Sequence, residues 1–255
     1  MTVIVFLHIP KTAGQTVHNA LVRAVGADAV SPIRVHTQAA PAGQFPPGYR
    51  LYSGHLDWTE LDSLPAPRFV FSILRDPRER IASFYFYLRK EAEALDRAAL
   101  DRPENLGKKR ALSWTAEDYF FGGDPAWQDF IRDHYDNFYC SYFATRRMRG
   151  RAEIAGLAEQ ERLDRAVAGA RSLDGLYTIA DLAPLEADLS RLLSRPVSFA
   201  GTHANRGPLS PGTPRWPELV ALLGSDRLAR RLDGFATLDS QLLDRLLRAD
   251  RPPAP

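Results

Sequence analysis

Residues 3–25 read VIVFLHIPKTAGQTVHNALVRAV, and the order of their three parts decides the fold. Val3 to Leu7 is continuously apolar and starts with β-branched residues, as in a strand covered on both faces of a parallel sheet. Val17, Ala20, Leu21, Ala24 and Val25 recur at helical spacing, and Gly26 supplies a stop. The turn between them holds Lys11, Thr12, Gly14 and Thr16. A strand–turn–helix unit aims backbone N–H groups and the positive end of the helix at its turn. Lys11 adds a full charge, Thr12 and Thr16 add hydroxyl donors, and Gly14 permits close approach of the backbone. This set suits a phosphate or sulfate. A Walker A loop places its lysine after the glycines, whereas Lys11 precedes Gly14, which disfavours an ordinary nucleoside triphosphatase. The competing reading is a plain βα turn with a surface lysine.

A second segment, RFVFSILRDPRERIAS at 68–83, repeats the pattern. A buried strand ends at Arg75, and Asp76, Pro77 and Glu79 announce a helix as N-cap, first-turn proline and capping partner. Arg75 falls at the carboxyl end of its strand, where open α/β sheets bind ligands. Arg75 and Ser83 together suit a second phosphate; alternatively Arg75 pairs locally with Asp76, and Ser83 only packs.

Outward from these anchors, Leu51 and Tyr52 open a short strand, and Asp57 with Glu60 reads as a helix start with reciprocal capping. Residues 91–110 read as a solvated helix or mobile insertion. The aromatic-rich residues 114–143 read as helices packed over one end of the sheet. Helical spacing returns over 154–170, a strand over 175–180 and a helix over 182–193; 197–199 is extended and 201–212 a loop. A last helix covers 238–247, and residues 251–255 form a disordered tail. Strands alternating with helices predict an α/β fold: a P-loop-like, doubly wound, mainly parallel sheet flanked by helices, in one domain over 1–250.

The 255 residues suffice for a sizeable core, and the net charge of +2 is too small to suggest nucleic-acid binding. The only lysines are Lys11, Lys90, Lys108 and Lys109. A single cysteine, Cys140, excludes an internal disulfide and points to a reducing compartment. No apolar stretch approaches a membrane span, so a cytoplasmic protein is expected.

FLHIPKTAGQT and LRDPRERIAS together resemble the paired signatures of sulfotransferases that use 3′-phosphoadenosine 5′-phosphosulfate (PAPS). SGHLDWTEL, between them, is similar to the segment that carries the catalytic base in heparan sulfate 6-O-sulfotransferases. Weaker similarity runs through DNFYCSYFA, GLYTIADL and HANRG. The resemblance implies that Lys11 contacts the sulfuryl group and the leaving phosphate. It implies that His8, Thr12, Ala13, Gly14, Gln15 and Thr16 line the 5′-phosphosulfate turn, and that Arg75 and Ser83 bind the 3′-phosphate. Thr202, Arg206 and Gly207 would belong to a closing loop, and His55 would be the general base. Arg50, Trp58 and Tyr87 fall near acceptor-contacting positions, although Trp58 also reads as core. Gln15 departs from the serine or threonine usual in relatives.

Neutral histidine suits a base near pH 7, and sulfuryl transfer, like phosphoryl transfer, needs an in-line nucleophile and a stabilised leaving oxygen. The chemistry calls for no metal. A bacterial glycan, a glycolipid or a small hydroxylated metabolite would serve as acceptor. The alternatives are a P-loop-like kinase and a non-catalytic nucleotide-binding protein. Of the other histidines, His18 reads as solvent-facing, His36 and His134 carry no motif, and His203 could touch the nucleotide.

Overall fold

A computed structural model describes residues 2–199 and 214–248. Thr202, His203, Arg206, Gly207 and the tail 251–255 lie outside the described residues. The chain begins β1 (Val3–Leu7), α1 (Gly14–Val25), β2 (Leu51–Gly54), β3 (Arg68–Leu74), α2 (Pro77–Glu93), α3 (Arg97–Leu100) and α4 (Leu106–Ser113). Next come α5 (Ala116–Phe121), α6 (Pro125–Tyr135), α7 (Phe138–Thr145), α8 (Arg151–Ile154) and α9 (Glu159–Arg171). It ends with β4 (Gly175–Thr178), α10 (Ala183–Leu193), α11 (Trp216–Leu223), α12 (Asp226–Asp233) and α13 (Thr237–Arg248).

These elements form two compact units, each from separate stretches of chain: residues 2–75, 139–199 and 242–248 in the first, 76–138 and 214–241 in the second. The first holds an α/β sheet in the order β2-β1-β3-β4, with every described pairing parallel. β1 is buried along its whole length, as its unbroken apolar pattern requires. Ile4, Phe6, Phe71 and Ile73 meet Val17 and Leu21 of α1 and Leu185 and Leu189 of α10. β1 pairs with β2 on one side and β3 on the other, so the strand order reverses beside β1. Open parallel sheets bind ligands outside the carboxyl ends of their strands at such a reversal.

The second unit is helical, and its core is aromatic: Tyr85, Tyr119, Phe120, Trp127 and Tyr135 close on Leu219, Leu223 and Leu232. Residues 91–110 are helical and largely solvated, as one of the two expected readings has it: they hold α3 and the start of α4, and most of their side chains are exposed or half-buried. Just beyond them Ala111 of α4 is fully buried, and Arg89 Nη1 donates to its carbonyl at 3.0 Å.

One local expectation fails for an identifiable reason. Asp57 starts no helix, and only a single 3-10 turn, Leu61–Ser63, follows. Instead its buried carboxylate accepts the Met148 N–H at 2.7 Å, and its own N–H donates to Gln44 Oε1 at 2.8 Å. Residues 197–199 join no sheet; the Val197 N–H goes to Ser190 Oγ at 2.8 Å and the Phe199 N–H to Glu186. The helices α11 and α12 were not anticipated.

Candidate active site at the carboxyl edge of the sheet

The turn after β1 is tightly wound. Lys11 and Ala13 both take left-handed backbone conformations, with φ of 74° and 63°. Thr12 is completely buried, and its hydroxyl proton goes to the Ile9 carbonyl at 2.8 Å. Thr12 therefore staples the turn, and only its amide remains for a ligand. The Thr16 and Val17 N–H groups return to the Ala13 carbonyl at 3.1 and 3.3 Å. Among the described residues, the amides of Thr12, Ala13, Gly14 and Gln15 have no acceptor. Four backbone donors thus stand at the start of α1, with no acidic residue in its first turn. This cradle fits an anion. Gln15 is exposed and donates to Asn19 at 2.8 Å.

Gly14 makes room for protein rather than for a ligand alone. A Cβ there would lie 1.7 Å from His8 Nε2, so the His8 ring rests directly on the turn. His8 also stacks on Phe6, with centroids 5.3 Å apart, and lies 4.4 Å from the His55 ring. His55 follows β2, and its Nδ1 donates to the His8 carbonyl at 2.6 Å. A carbonyl only accepts, so this bond puts the proton on Nδ1 and leaves the Nε2 lone pair of neutral His55 as the available base.

The surroundings hold both rings neutral. Burial lowers the His55 pKa first, and the Arg34, His36 and Lys11 charges lower it further, against the opposing pull of the His8 carbonyl. His8 is pushed well below the ordinary imidazole value by burial, then by His55, Arg34, His18 and Lys11. Burial also lowers His36, with Asp57 opposing.

Sequence reasoning missed Arg34. Its carbonyl accepts the His55 N–H at 2.8 Å, and its backbone lies against Gly54, where a Cβ would fall 2.1 Å from that oxygen. Its Nη1 donates to His18 Nε2 at 2.5 Å, and His18 Nδ1 faces Ser53 Oγ at 3.0 Å. The triplet Ser53-Gly54-His55 therefore fixes one arginine three ways. His18 is corrected accordingly: it is 7% exposed and bridges Ser53 to Arg34 rather than facing solvent. Burial and Arg34 lower its pKa to about 4.

Arg75 follows β3 at the same carboxyl edge as the His8–Gly14 turn, since β1 and β3 are parallel neighbours. Its N–H donates to the Tyr139 hydroxyl at 3.1 Å, and that hydroxyl donates to the Arg75 carbonyl at 3.0 Å. One buried tyrosine thus fixes the strand end, a role that the similarity of its segment, DNFYCSYFA, did not assign.

Two acceptor candidates are repositioned. Arg50 precedes β2, whereas His55 follows it, so the strand puts Arg50 at the amino edge of the sheet. At about 3.3 Å per residue the separation is roughly 16 Å, which removes Arg50 from the candidate site. Trp58 is completely buried, with the Arg146 guanidinium 4.8 Å above its ring, so its reading as core stands.

Ser83 and Tyr87 belong to α2 in the second unit. Tyr87 is partly buried, and burial followed by Glu91 raises its pKa. Ser83 is 1% exposed, and its hydroxyl accepts from Arg215 Nη1 at 2.9 Å. His134 rests between Phe84 and Phe130, with Nδ1 2.8 Å from the Phe130 carbonyl, which marks it as packing.

No curated protein matches the chain. A model described as the sulfotransferase family matches residues 2–139, more than half of its length.

Proposed function

Since the chain belongs to the sulfotransferase family, we propose that it moves a sulfuryl group from PAPS to a hydroxyl of a carbohydrate-like acceptor, with His55 as general base. The observation that carries this reading is the 2.6 Å bond from His55 Nδ1 to the His8 carbonyl, which leaves Nε2 free to accept a proton. His55 Nε2 takes the acceptor's hydroxyl proton as the oxygen attacks. Lys11 stands beside the charge that grows on the leaving phosphate, and fixed charges at such sites lower barriers by about 3 kcal/mol. The amides of Thr12 to Gln15 hold the 5′-phosphosulfate, with His8 and Thr16 lining the turn, while Arg75 and Ser83 serve the 3′-phosphate. A glycan, a glycolipid or a small hydroxylated metabolite is the acceptor, and the protein works in the cytoplasm; among the described residues no helix is long and apolar enough to cross a membrane.

The test is incubation with labelled PAPS and a panel of glycans, glycolipids and metabolite extracts, read by mass spectrometry for added sulfate. His55→Ala is expected to abolish transfer while binding of 3′-phosphoadenosine 5′-phosphate (PAP) persists. Transfer retained by His55→Ala would remove the base. Tighter binding of ATP with magnesium than of PAP would favour a kinase.

A further inference from the structure

Arg215 is held at two points within the second unit. Its backbone N–H lies 2.9 and 3.0 Å from the two carboxylate oxygens of Glu79, and the Trp216 N–H lies 2.9 Å from the same group. Glu79 thus caps the amino end of α11. The guanidinium meanwhile reaches Ser83, one turn further along α2 on the same face as Glu79. Anchoring α11 requires only the carboxylate and the amides, so the second contact calls for its own explanation.

That contact leaves further donors on both side chains. A guanidinium has five N–H donors in a rigid fork, and one goes to Ser83. Among the described residues no carboxylate pairs with the Arg215 guanidinium. A serine hydroxyl that accepts an N–H keeps its own proton to give. Arginine and serine therefore offer N–H and O–H donors held in fixed relation, and the Glu79 carboxylate is engaged by backbone amides. Such a set fits a multiply charged tetrahedral oxyanion, the chemistry of a phosphomonoester.

We propose that Arg215 binds the 3′-phosphate of the nucleotide together with Ser83, and so sets the preference for a 3′-phosphorylated donor. The inference rests on the proposed assignment of Ser83 to that phosphate. The fork supplies charge and bidentate geometry, and Ser83 fixes its direction.

The test is calorimetric titration of the whole chain with PAP and with adenosine 5′-phosphate, which lacks the 3′-phosphate. The unaltered protein is expected to prefer PAP. Arg215→Ala is expected to weaken PAP binding by at least about tenfold and to leave adenosine 5′-phosphate unchanged, so that the preference shrinks. Arg215→Lys is expected to fall between them, because an ammonium keeps the charge and loses the fork; it also serves if the alanine variant does not fold. A wild-type preference that survives in both variants would overturn the role of Arg215 and leave the PAPS reading standing. Equal affinity of the unaltered protein for the two nucleotides would overturn both.

Discussion

At the scale of single residues, the candidate site is a basic surround for His55, the proposed base. The nearby charges named around His55 are Arg34, His36 and Lys11, all lowering its pKa. A base with a lowered pKa stays unprotonated further into the acid range. The acid limb of kcat/KM is therefore expected below the ordinary imidazole value of 6.5. Arg34→Gln removes one of the lowering charges and should move that limb upward. A pH–rate profile checks this, and an unmoved limb would separate Arg34 from the electrostatics of the base. Gly14→Ala tests the other side of the ring. The new Cβ would fall 1.7 Å from His8 Nε2, and His8 is packed between Phe6 and His55. Displacing His8 also displaces the carbonyl that fixes the His55 tautomer. A loss of about 1–3 kcal/mol in denaturant stability is expected, together with loss of transfer activity.

At the scale of elements, the ends of strands and helices are fixed by side chains distant in sequence. Tyr139 lies 64 residues from Arg75, yet its hydroxyl satisfies both backbone groups of that residue. Tyr139→Phe removes that hydroxyl from both backbone groups at the end of β3. It is expected to cost about 1–3 kcal/mol in urea unfolding and to weaken PAP binding, with the fold retained. Helix α2 shows how far local patterns reach. Asp76 caps it as the sequence predicts, accepting the Glu79 N–H at 2.9 Å. The Glu79 side chain does not complete the reciprocal box, because two amides 136 and 137 residues away claim it. Strand, turn, proline and N-cap were legible because each is written in adjacent residues. Arg34, Tyr139 and Arg215 were not, because their partners arrive only through tertiary packing.

At the scale of the molecule, topology was the most legible feature. Two apolar runs that each end in a basic turn imply parallel strands with their loops on one edge, and β1 and β3 are parallel neighbours. The histidines were the least legible, since charge and composition do not reveal that His8, His18, His36 and His55 all have lowered pKa values within the first unit. That arrangement makes the fold sensitive to acid. A histidine whose folded pKa lies below 6.5 binds fewer protons folded than unfolded across the interval between the two values. Stability then rises with pH through that interval, is complete above 6.5, and is lost as pH falls toward the folded pKa. For His18 the window runs from 6.5 down to about 4, worth at most about 3 kcal/mol. Protonated His18 would also present an N–H to Arg34 in place of the lone pair at Nε2. Urea unfolding at pH 7.5 and pH 5 should therefore show a clear drop in free energy at the lower pH. His18→Phe should be less stable than the unaltered protein at pH 7.5, having lost the link between Ser53 and Arg34, and should show a shallower pH dependence. An equal slope in the two proteins would mean that His18 is not held neutral by burial and Arg34.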